Sequence, residues 1–241
     1  MFELVKAKKA LSKGKNEKAE KHFEKMLKNP NEEGLVLYAY HLIRSYRPEK
    51  ALKLFDEEIL PFFEENKKKL EGKMNVKNKG SLQRKINASE INIYTNYAVA
   101  LWQNNDLEKA IAVTEELFSR YKTTLIYGNL AFFYILVQNK EKALELSLQG
   151  YEFAPDDATV LDNLGYAYYM NGNYEESEKI YKVLMEKKPT FPDAYSNYSV
   201  VLIALGKTAE AKEMLGKCLR CNFTALTMTK KDDVEKLYNS L

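Results

Sequence analysis

A small residue returns along the chain at a regular interval, each time in the middle of an apolar helical pattern. The successive intervals are 32, 59, 33, 34 and 34 residues. A period of this length predicts structural repeats that cannot bury their apolar faces alone and therefore stack on one another. The small residues are Ala19, Ala51, Ala110, Ala143, Ser177 and Ala211.

An asparagine marks a second, earlier helix in four of these repeats. The stretches read Y-T-N-Y-A at 94–98, Y-G-N-L-A at 127–131, L-D-N-L-G at 161–165 and Y-S-N-Y-S at 195–199. The small residue two positions after each asparagine allows a close helix crossing. Turn signals then separate the two helices: N-N-D at 104–106, Q-N-K at 138–140, N-G-N at 171–173 and L-G-K at 205–207. Each repeat is therefore expected to be a helical hairpin.

This pattern resembles the tetratricopeptide repeat family. The best copy reads Leu161-x2-Leu164-Gly165-x2-Tyr168, then Ser177-x3-Tyr181, then Pro189. The resemblance is strong over 91–225, moderate over 32–60 and weak over 1–31. It implies an all-α fold, a right-handed α-solenoid of tetratricopeptide helical hairpins.

The predicted organisation has four parts. Degenerate hairpins occupy 1–60, a basic insertion with an extra helix and a loop occupies 61–90, four repeats occupy 91–225, and a capping helix occupies 226–241. Pro61 suits the first turn of a new helix, residues 73–81 read as a basic loop, and Thr229 is expected to be the N-cap of the last helix.

Charge and cysteine content limit the class of protein. Residues 1–90 carry a net charge of +7 and residues 91–241 a net charge of −4. The two cysteines, Cys218 and Cys221, exclude a disulfide scaffold and favour a reducing, cytoplasmic location. The N-terminus has no apolar stretch typical of a signal peptide. A membrane would be reached only through an upstream segment or through the basic N-terminal face.

No motif indicates catalysis. The chain lacks a phosphate-binding glycine loop, and no Ser, His and Asp grouping is evident. His22 and His41 fall in different repeats. Cys218 and Cys221 form a single C-x2-C inside a helix, without the second ligand pair of a zinc site. We therefore expect a non-enzymatic protein with no cofactor and no metal.

The face of the first helices opposite the packing face is expected to line the concave surface, as the resemblance implies. It contains no Lys or Arg. Its asparagines resemble the ladder with which some family members bind the main chain of a peptide, because a carboxamide both donates and accepts hydrogen bonds. Asparagine at this position can also simply satisfy neighbouring helix groups. The candidate peptide-binding residues are Asn96, Asn129, Asn163, Asn197, Trp102, Phe132, Tyr166, Tyr169, Asp162 and Asp193.

The sequence thus predicts a protein-interaction scaffold that binds an extended, neutral or basic peptide in this groove. The alternative is a basic surface within 1–90 that docks on nucleic acid or on an anionic membrane. Nucleic acid is disfavoured, because no aromatic platform interleaves with the N-terminal lysines. Docking of that kind would weaken steeply with salt, whereas binding in an uncharged groove would not.

Overall fold

The computed structural model describes residues 2–241, and that part of the chain forms α-helices, one π-helical segment, turns and loops, without a β-strand. The predicted all-α fold of helical hairpins is confirmed. The helices are α1 Phe2–Leu11, α2 Asn16–Met26, α3 Glu32–Arg44, α4 Pro48–Leu54, α5 Leu60–Glu71, α6 Lys79–Gln103, α7 Leu107–Arg120, α8 Thr124–Leu136, α9 Lys140–Phe153, α10 Ala158–Met170, α11 Tyr174–Glu186, α12 Pro192–Ala204, α13 Thr208–Cys218 and α14 Lys231–Ser240, and the π-helical segment is Phe55–Ile59.

The chain forms two compact units. Unit 1 ends at Val113 and unit 2 begins at Thr114, so the division falls inside α7. Unit 1 holds α1–α6 and unit 2 holds α8–α14. The four-part organisation expected from the sequence stays a prediction.

Six hairpin turns share one backbone conformation. In each turn a residue adopts a left-handed φ between 51° and 77°. The following residue donates its N–H to the carbonyl oxygen five positions earlier, at 2.8–3.0 Å. This bond is the C-terminal capping pattern that satisfies an otherwise unpaired helix carbonyl. The left-handed residues are Gly14, Tyr46, Asn105, Gln138, Gly172 and Gly206.

The repeating small residue lies five positions after each left-handed residue. All six of these small residues are fully buried. In the α10–α11 hairpin, Ser177 takes this position and donates its hydroxyl to the carbonyl oxygen of Gly165 at 2.6 Å. A Cβ built on Gly165 would lie 2.6 Å from Cε2 of Tyr181, so this crossing has room only for glycine. The two N-terminal hairpins therefore share the turn conformation and the buried small residue of the four later hairpins.

The segment from Pro48 to Glu71 is helical without a break. Pro61 stands in the first turn of α5, as expected, but α5 follows α4 and the π-helical segment directly. In the π-helical segment Leu60 donates its N–H to the carbonyl oxygen of Phe55, five positions back. The basic loop is shorter than expected, because α6 already begins at Lys79.

Helix α14 packs on α13 at the C-terminal end of unit 2. Val234 is buried against Leu215 and Cys218. The expectation that Thr229 caps this helix is wrong: the N-cap residue is Lys230, which makes no side-chain cap bond. The N–H of Thr229 instead donates to Oδ1 of Asp193 at 2.7 Å.

No helix among residues 2–241 combines the length and the apolar character that crossing a bilayer requires.

Candidate functional site: the groove face of unit 2

The groove face of unit 2 is the set of predicted concave positions on its three first helices, α8, α10 and α12. These positions recur because residues three and four apart share one side of a helix. The groove face comprises Leu125, Gly128, Asn129, Phe132, Ile135, Leu136, Thr159, Asp162, Asn163, Tyr166, Tyr169, Met170, Asp193, Ser196, Asn197, Val200, Ile203 and Ala204.

Apolar side chains of this face reach solvent. Leu125 is 50% exposed and Ile203 is 36% exposed. The aromatic candidates Phe132, Tyr166 and Tyr169 are half-buried. Such side chains retain apolar surface that a ligand can still cover.

Three tyrosine rings form a continuous contact at this face. The ring centroids of Tyr166 and Tyr169 lie 5.5 Å apart, and those of Tyr169 and Tyr174 lie 5.6 Å apart. Aromatic pairs at this separation stabilise each other beyond their burial. Sequence reasoning missed Tyr174, because it begins the second helix, α11, while the search followed only the first helices.

Two of the predicted ladder asparagines join consecutive first helices. The Asn163 amide donates to the carbonyl oxygen of Gly128 at 2.9 Å. The Asn197 amide donates to both carboxylate oxygens of Asp162, at 3.2 and 3.3 Å. Each partner lies 35 residues earlier, one position before the asparagine of the preceding repeat. These carboxamides therefore hold helices together, whatever else they bind.

The other ladder residues have different surroundings. Asn96, in unit 1, donates its amide to Asn92 of its own helix, at 2.7 Å to the carbonyl oxygen and 3.1 Å to Oδ1. Asn129 is half-buried, as is Trp102 of unit 1. Asn163 is the most enclosed of the three ladder residues in unit 2, with 6% of its surface exposed.

Asp162 is a buried carboxyl group. Only 8% of the residue is exposed, and the Tyr181 hydroxyl donates to its Oδ1 at 3.1 Å. Burial, together with the nearby charge of Asp193, raises the pKa of Asp162 to about 7, although the bonds from Asn197 and Tyr181 act to lower it. The negative charge that the sequence suggested for the groove at Asp162 is therefore buried and only partly present near neutral pH.

Asp193, the second predicted acidic residue, is half-buried and already has a main-chain partner. Its carboxylate accepts the N–H of Thr229, just before α14. Both acidic candidates thus support the structure of unit 2 directly. The sequence signal for the linkage between Asp162 and Asn197 is the residue immediately before one ladder asparagine and the next asparagine, 35 residues later.

The C-x2-C does not lie wholly inside a helix, as the sequence had suggested: Cys218 is the last residue of α13, and Cys221 follows three residues beyond its end and is half-buried. Cys218 is buried, and its thiol donates to the carbonyl oxygen of Pro192 at 3.3 Å. Burial raises the pKa of Cys218 to about 12, so the reactive thiolate is disfavoured. Within residues 2–241, no three His, Cys, Asp or Glu side chains come together as a metal site would require.

Comparison with known proteins identifies the repeats. Models of the tetratricopeptide repeat match residues 91–123, 158–187 and 192–223. The chain is a tetratricopeptide repeat protein. Two of the matched segments contain the asparagines and aromatic residues of α10 and α12. No curated protein shows significant sequence similarity to it.

Solved structures share the fold of this tetratricopeptide repeat protein at low sequence identity. TTC0263, a thermophilic protein of the same family from Thermus thermophilus, is 16% identical with a TM-score of 0.62, over 87% of this chain and 98% of that one. YrrB, described as having an unusual peptide-binding site, is 15% identical with a TM-score of 0.50, over 90% and 96%. IFIT1, in a monomeric mutant with Gppp-AAAA, is 17% identical with a TM-score of 0.63, over 92% of this chain and 49% of that one.

Proposed function

We propose that this tetratricopeptide repeat protein is a non-enzymatic scaffold that binds an extended, mainly apolar protein segment on the groove face of unit 2. The observation that carries the proposal is the solvent exposure of Leu125 and Ile203 on a face whose aromatic residues are only half-buried. Removing apolar surface from water contributes roughly 25 cal/mol per Å². A segment that covered both ends of this face would gain most from these side chains.

The charge of the face favours an uncharged ligand segment. The groove face carries no Lys or Arg. Asp162 is buried, and the Asp193 carboxylate binds the Thr229 main chain. We therefore expect less preference for basic peptides than the sequence alone suggests. A ligand with several phosphates would find no cation on this face.

The asparagines have two roles in this proposal. Their amide groups join neighbouring helices, and their side-chain oxygens accept N–H groups from the ligand main chain. An extended chain rises about 3.3 Å per residue and packed helices lie roughly 8–10 Å apart, so one asparagine would meet about every third ligand residue. Phe132, Tyr166 and Tyr169 would then select ligand side chains. Asn96 and Trp102 occupy the same positions in the repeat that begins in unit 1.

Similarity of fold is consistent with peptide binding. YrrB has a peptide-binding site, and its fold resembles that of this chain. At 15% identity this likeness shows the fold alone, so the proposal rests on the groove face itself.

The decisive experiment compares two pairs of exposed apolar residues. Peptides without charge would be selected on the wild-type protein from a displayed library, and their affinities measured by calorimetry. Leu125→Ser with Ile203→Ser alters the groove face. Leu148→Ser with Val183→Ser is the matched control, because these residues are 38% and 39% exposed on the second helices α9 and α11.

We expect the groove pair to weaken binding by at least about tenfold, since about 1.4 kcal/mol corresponds to that factor. The control pair should leave the affinity unchanged. Equal losses in the two pairs, or a loss in the control pair alone, would place the ligand elsewhere and overturn the proposal.

The ladder is tested separately by replacing Asn96, Asn129, Asn163 and Asn197 together with alanine. Intact folding is checked by circular dichroism, and binding is measured well below the unfolding temperature. Each lost hydrogen bond costs roughly 0.5–1.5 kcal/mol, so stability should fall in any case. If the variant keeps wild-type affinity for the selected peptides, the asparagines are structural only.

A further inference from the structure

The most positively charged part of the chain lies outside the repeats, in unit 1. We call α5, the loop Gly72–Asn78 and residues 79–85 of α6 the basic arm. Residues 67–85 carry eight Lys or Arg side chains and one Glu, a net charge of +7. Helices α5 and α6 contact each other, so the loop connects two packed helices.

Most of these charges have no acidic partner. Lys69 pairs with Glu65 at 2.6 Å, and the Lys67 ammonium lies over the Phe63 ring. Within residues 2–241, none of the exposed lysines at 68, 73, 77 and 79 forms an ion pair. Their charges are therefore available to an external anion.

The loop at the end of the arm is held in one conformation by two asparagines. Asn78 Oδ1 accepts the N–H of Asn75 at 2.7 Å, and Asn75 Oδ1 accepts the N–H groups of Lys77 and Asn78 at 3.0 and 3.2 Å. The Asn78 amide donates to the carbonyl oxygen of Lys73 at 2.9 Å. A loop ordered in this way loses little conformational entropy when it binds.

Val76 occupies the centre of this ordered loop and is fully exposed. It lies between Lys73 and Lys77, so the loop presents one apolar side chain flanked by cations. Cations beside an exposed apolar side chain match the interface of an anionic membrane, where charged headgroups lie above the acyl chains.

We propose that the basic arm docks on an anionic lipid membrane, with its lysines on the headgroups and Val76 inserted at the interface. This site is separate from the groove face and does not depend on the peptide-binding proposal. Lysine is a flexible point charge that suits mobile headgroups.

The charge asymmetry of the sequence leaves nucleic acid open as the other anionic partner, but the arm lacks the features that nucleic acid favours. Single strands bind by base stacking on exposed aromatic rings. The loop has no aromatic residue, and of the two aromatic residues of α5, Phe63 is buried and Phe62 is half-buried, so neither ring is fully exposed. Arg84 is the only arginine among residues 60–85.

The lysine ridge of α2 supplies a matched control. It comprises Lys18, Lys21 and Lys25 of α2 and Lys28, two residues beyond the end of that helix; all four are exposed and form no ion pair within residues 2–241. Helix α2 exposes no large apolar side chain. Replacing these four lysines with glutamine changes the net charge as much as replacing Lys68, Lys73, Lys77 and Lys79.

The test is co-sedimentation of the full chain with vesicles of phosphatidylcholine and phosphatidylserine, against vesicles of phosphatidylcholine alone. We expect binding only to the anionic vesicles, and weaker binding when salt rises from ~0.1 M to ~0.5 M. The arm variant should lose affinity by at least about a hundredfold, because each lysine near such a surface contributes roughly a fivefold factor. The ridge variant should lose far less.

Val76 is tested in two further variants. Val76→Ser should weaken vesicle binding by about five- to tenfold without changing the melting temperature, since the side chain makes no buried contact. Val76→Trp should give a blue-shifted emission on anionic vesicles, after subtraction of the signal of Trp102.

Three results would overturn the proposal. The first is equal loss of binding in the arm and ridge variants, which would indicate diffuse charge. The second is an unshifted Val76→Trp emission on vesicles that bind the protein. The third is arm-dependent binding to a mixed-sequence oligonucleotide without binding to anionic vesicles, which would assign the arm to nucleic acid.

Discussion

Two helical regions of this protein differ in what ends their helices. From α10 to α13 the helices have 13, 13, 13 and 11 residues, and the two hairpins turn at Gly172 and Gly206. From Pro48 to Glu71, in unit 1, helical structure continues through Pro61, and α6 then runs for 25 residues. Both regions contain glycine and proline, so these residues alone do not determine helix length.

The difference lies in a pair of residues five positions apart. In the repeats, a left-handed turn residue is followed five positions later by a small residue, Ser177 or Ala211, that allows the next helix to cross closely. Gly72 has an ordinary helical φ of −64° and is followed five positions later by the large Lys77. A compact hairpin therefore requires both residues, and without the pair the helices extend.

The largest expected effect tests the crossing in the repeats. Gly165→Ala should destabilise unit 2 by about 3 kcal/mol, because its Cβ overlaps the fully buried Tyr181 ring. That ring is stacked on Tyr198 with centroids 5.2 Å apart and is bonded to Asp162, so it has little freedom to move. Gly165→Leu should be worse. The measurement is the free energy of unfolding in urea.

Two other helical glycines are controls for this prediction. At Gly128 a Cβ would meet only Cγ2 of Thr159, at the ordinary distance of 3.5 Å. At Gly34 the overlapping atom is the sulfur of Met26, the end of a flexible side chain. Gly128→Ala and Gly34→Ala should each change stability by less than about 1 kcal/mol, since alanine also favours the helix. Equal losses at all three positions would refute the close-crossing argument.

The repeats were predictable because their packing residues recur, so one period established helix, turn and crossing together. The ladder residues were also located correctly on the first helices, but their partners were not foreseen. Whether such an asparagine bonds a carbonyl group or a carboxylate depends on the residue near the preceding asparagine, which is Gly128 for Asn163 and Asp162 for Asn197. The segment from Pro48 to Glu71 has no repeated pattern of this kind, so the sequence did not show that α4, the π-helical segment Phe55–Ile59 and α5 follow one another without a break.

The second prediction concerns Asp162 of α10, which accepts hydrogen bonds from Tyr181 of α11 and Asn197 of α12. Because burial raises the pKa of Asp162 to about 7, the folded state binds this proton more tightly than the unfolded state does. The contribution of Asp162 to stability should therefore be fully present below about pH 4 and be lost as pH rises from about 4 to about 7. Asp162→Asn should remove this loss and stabilise the protein by about 2 kcal/mol at pH 8, with little effect at about pH 4.

The control is Asp156→Asn, an exposed carboxylate paired with Lys187 at 2.5 Å. Chemical denaturation across this pH range should give parallel curves for the control and the wild type. The prediction is wrong if the stability of the wild type rises between about pH 4 and about pH 7 and the Asp162→Asn variant shows the same pH dependence. That result would show that the folded protein accommodates the ionised Asp162 carboxylate.

The third prediction concerns Pro61, through which helical structure continues from Pro48 to Glu71. Pro61 is exposed and cannot donate a hydrogen bond within a continuous helix. Pro61→Ala should stabilise unit 1 by about 1 kcal/mol, because alanine restores a donor and favours the helix. Pro48→Ala is the control, since Pro48 stands at a true helix start, where proline costs little. A destabilised Pro61→Ala would mean that the π-helical segment requires the proline.

The smallest expected effect tests the turn residue itself. Gln138 has the same left-handed conformation as Gly172, with φ of 58° against 77°. A side chain is strained there and glycine is not. Gln138→Gly should therefore stabilise unit 2 by about 0.5 kcal/mol, the gain being reduced by loss of its 3.2 Å bond to the Ile135 carbonyl oxygen. Gly172→Ala should destabilise by about 1 kcal/mol. A Cβ at Gly172 has no neighbour within 4 Å, so this loss of stability comes from the backbone conformation and not from a clash.

The measurement is thermal unfolding of the two single variants and of the double variant, Gln138→Gly with Gly172→Ala. If each effect arises only from the conformation of its own turn, the two changes in free energy of unfolding should add, because they lie in different hairpins. A neutral Gly172→Ala would show that the crossing residue, without the turn residue, is enough to form the hairpin.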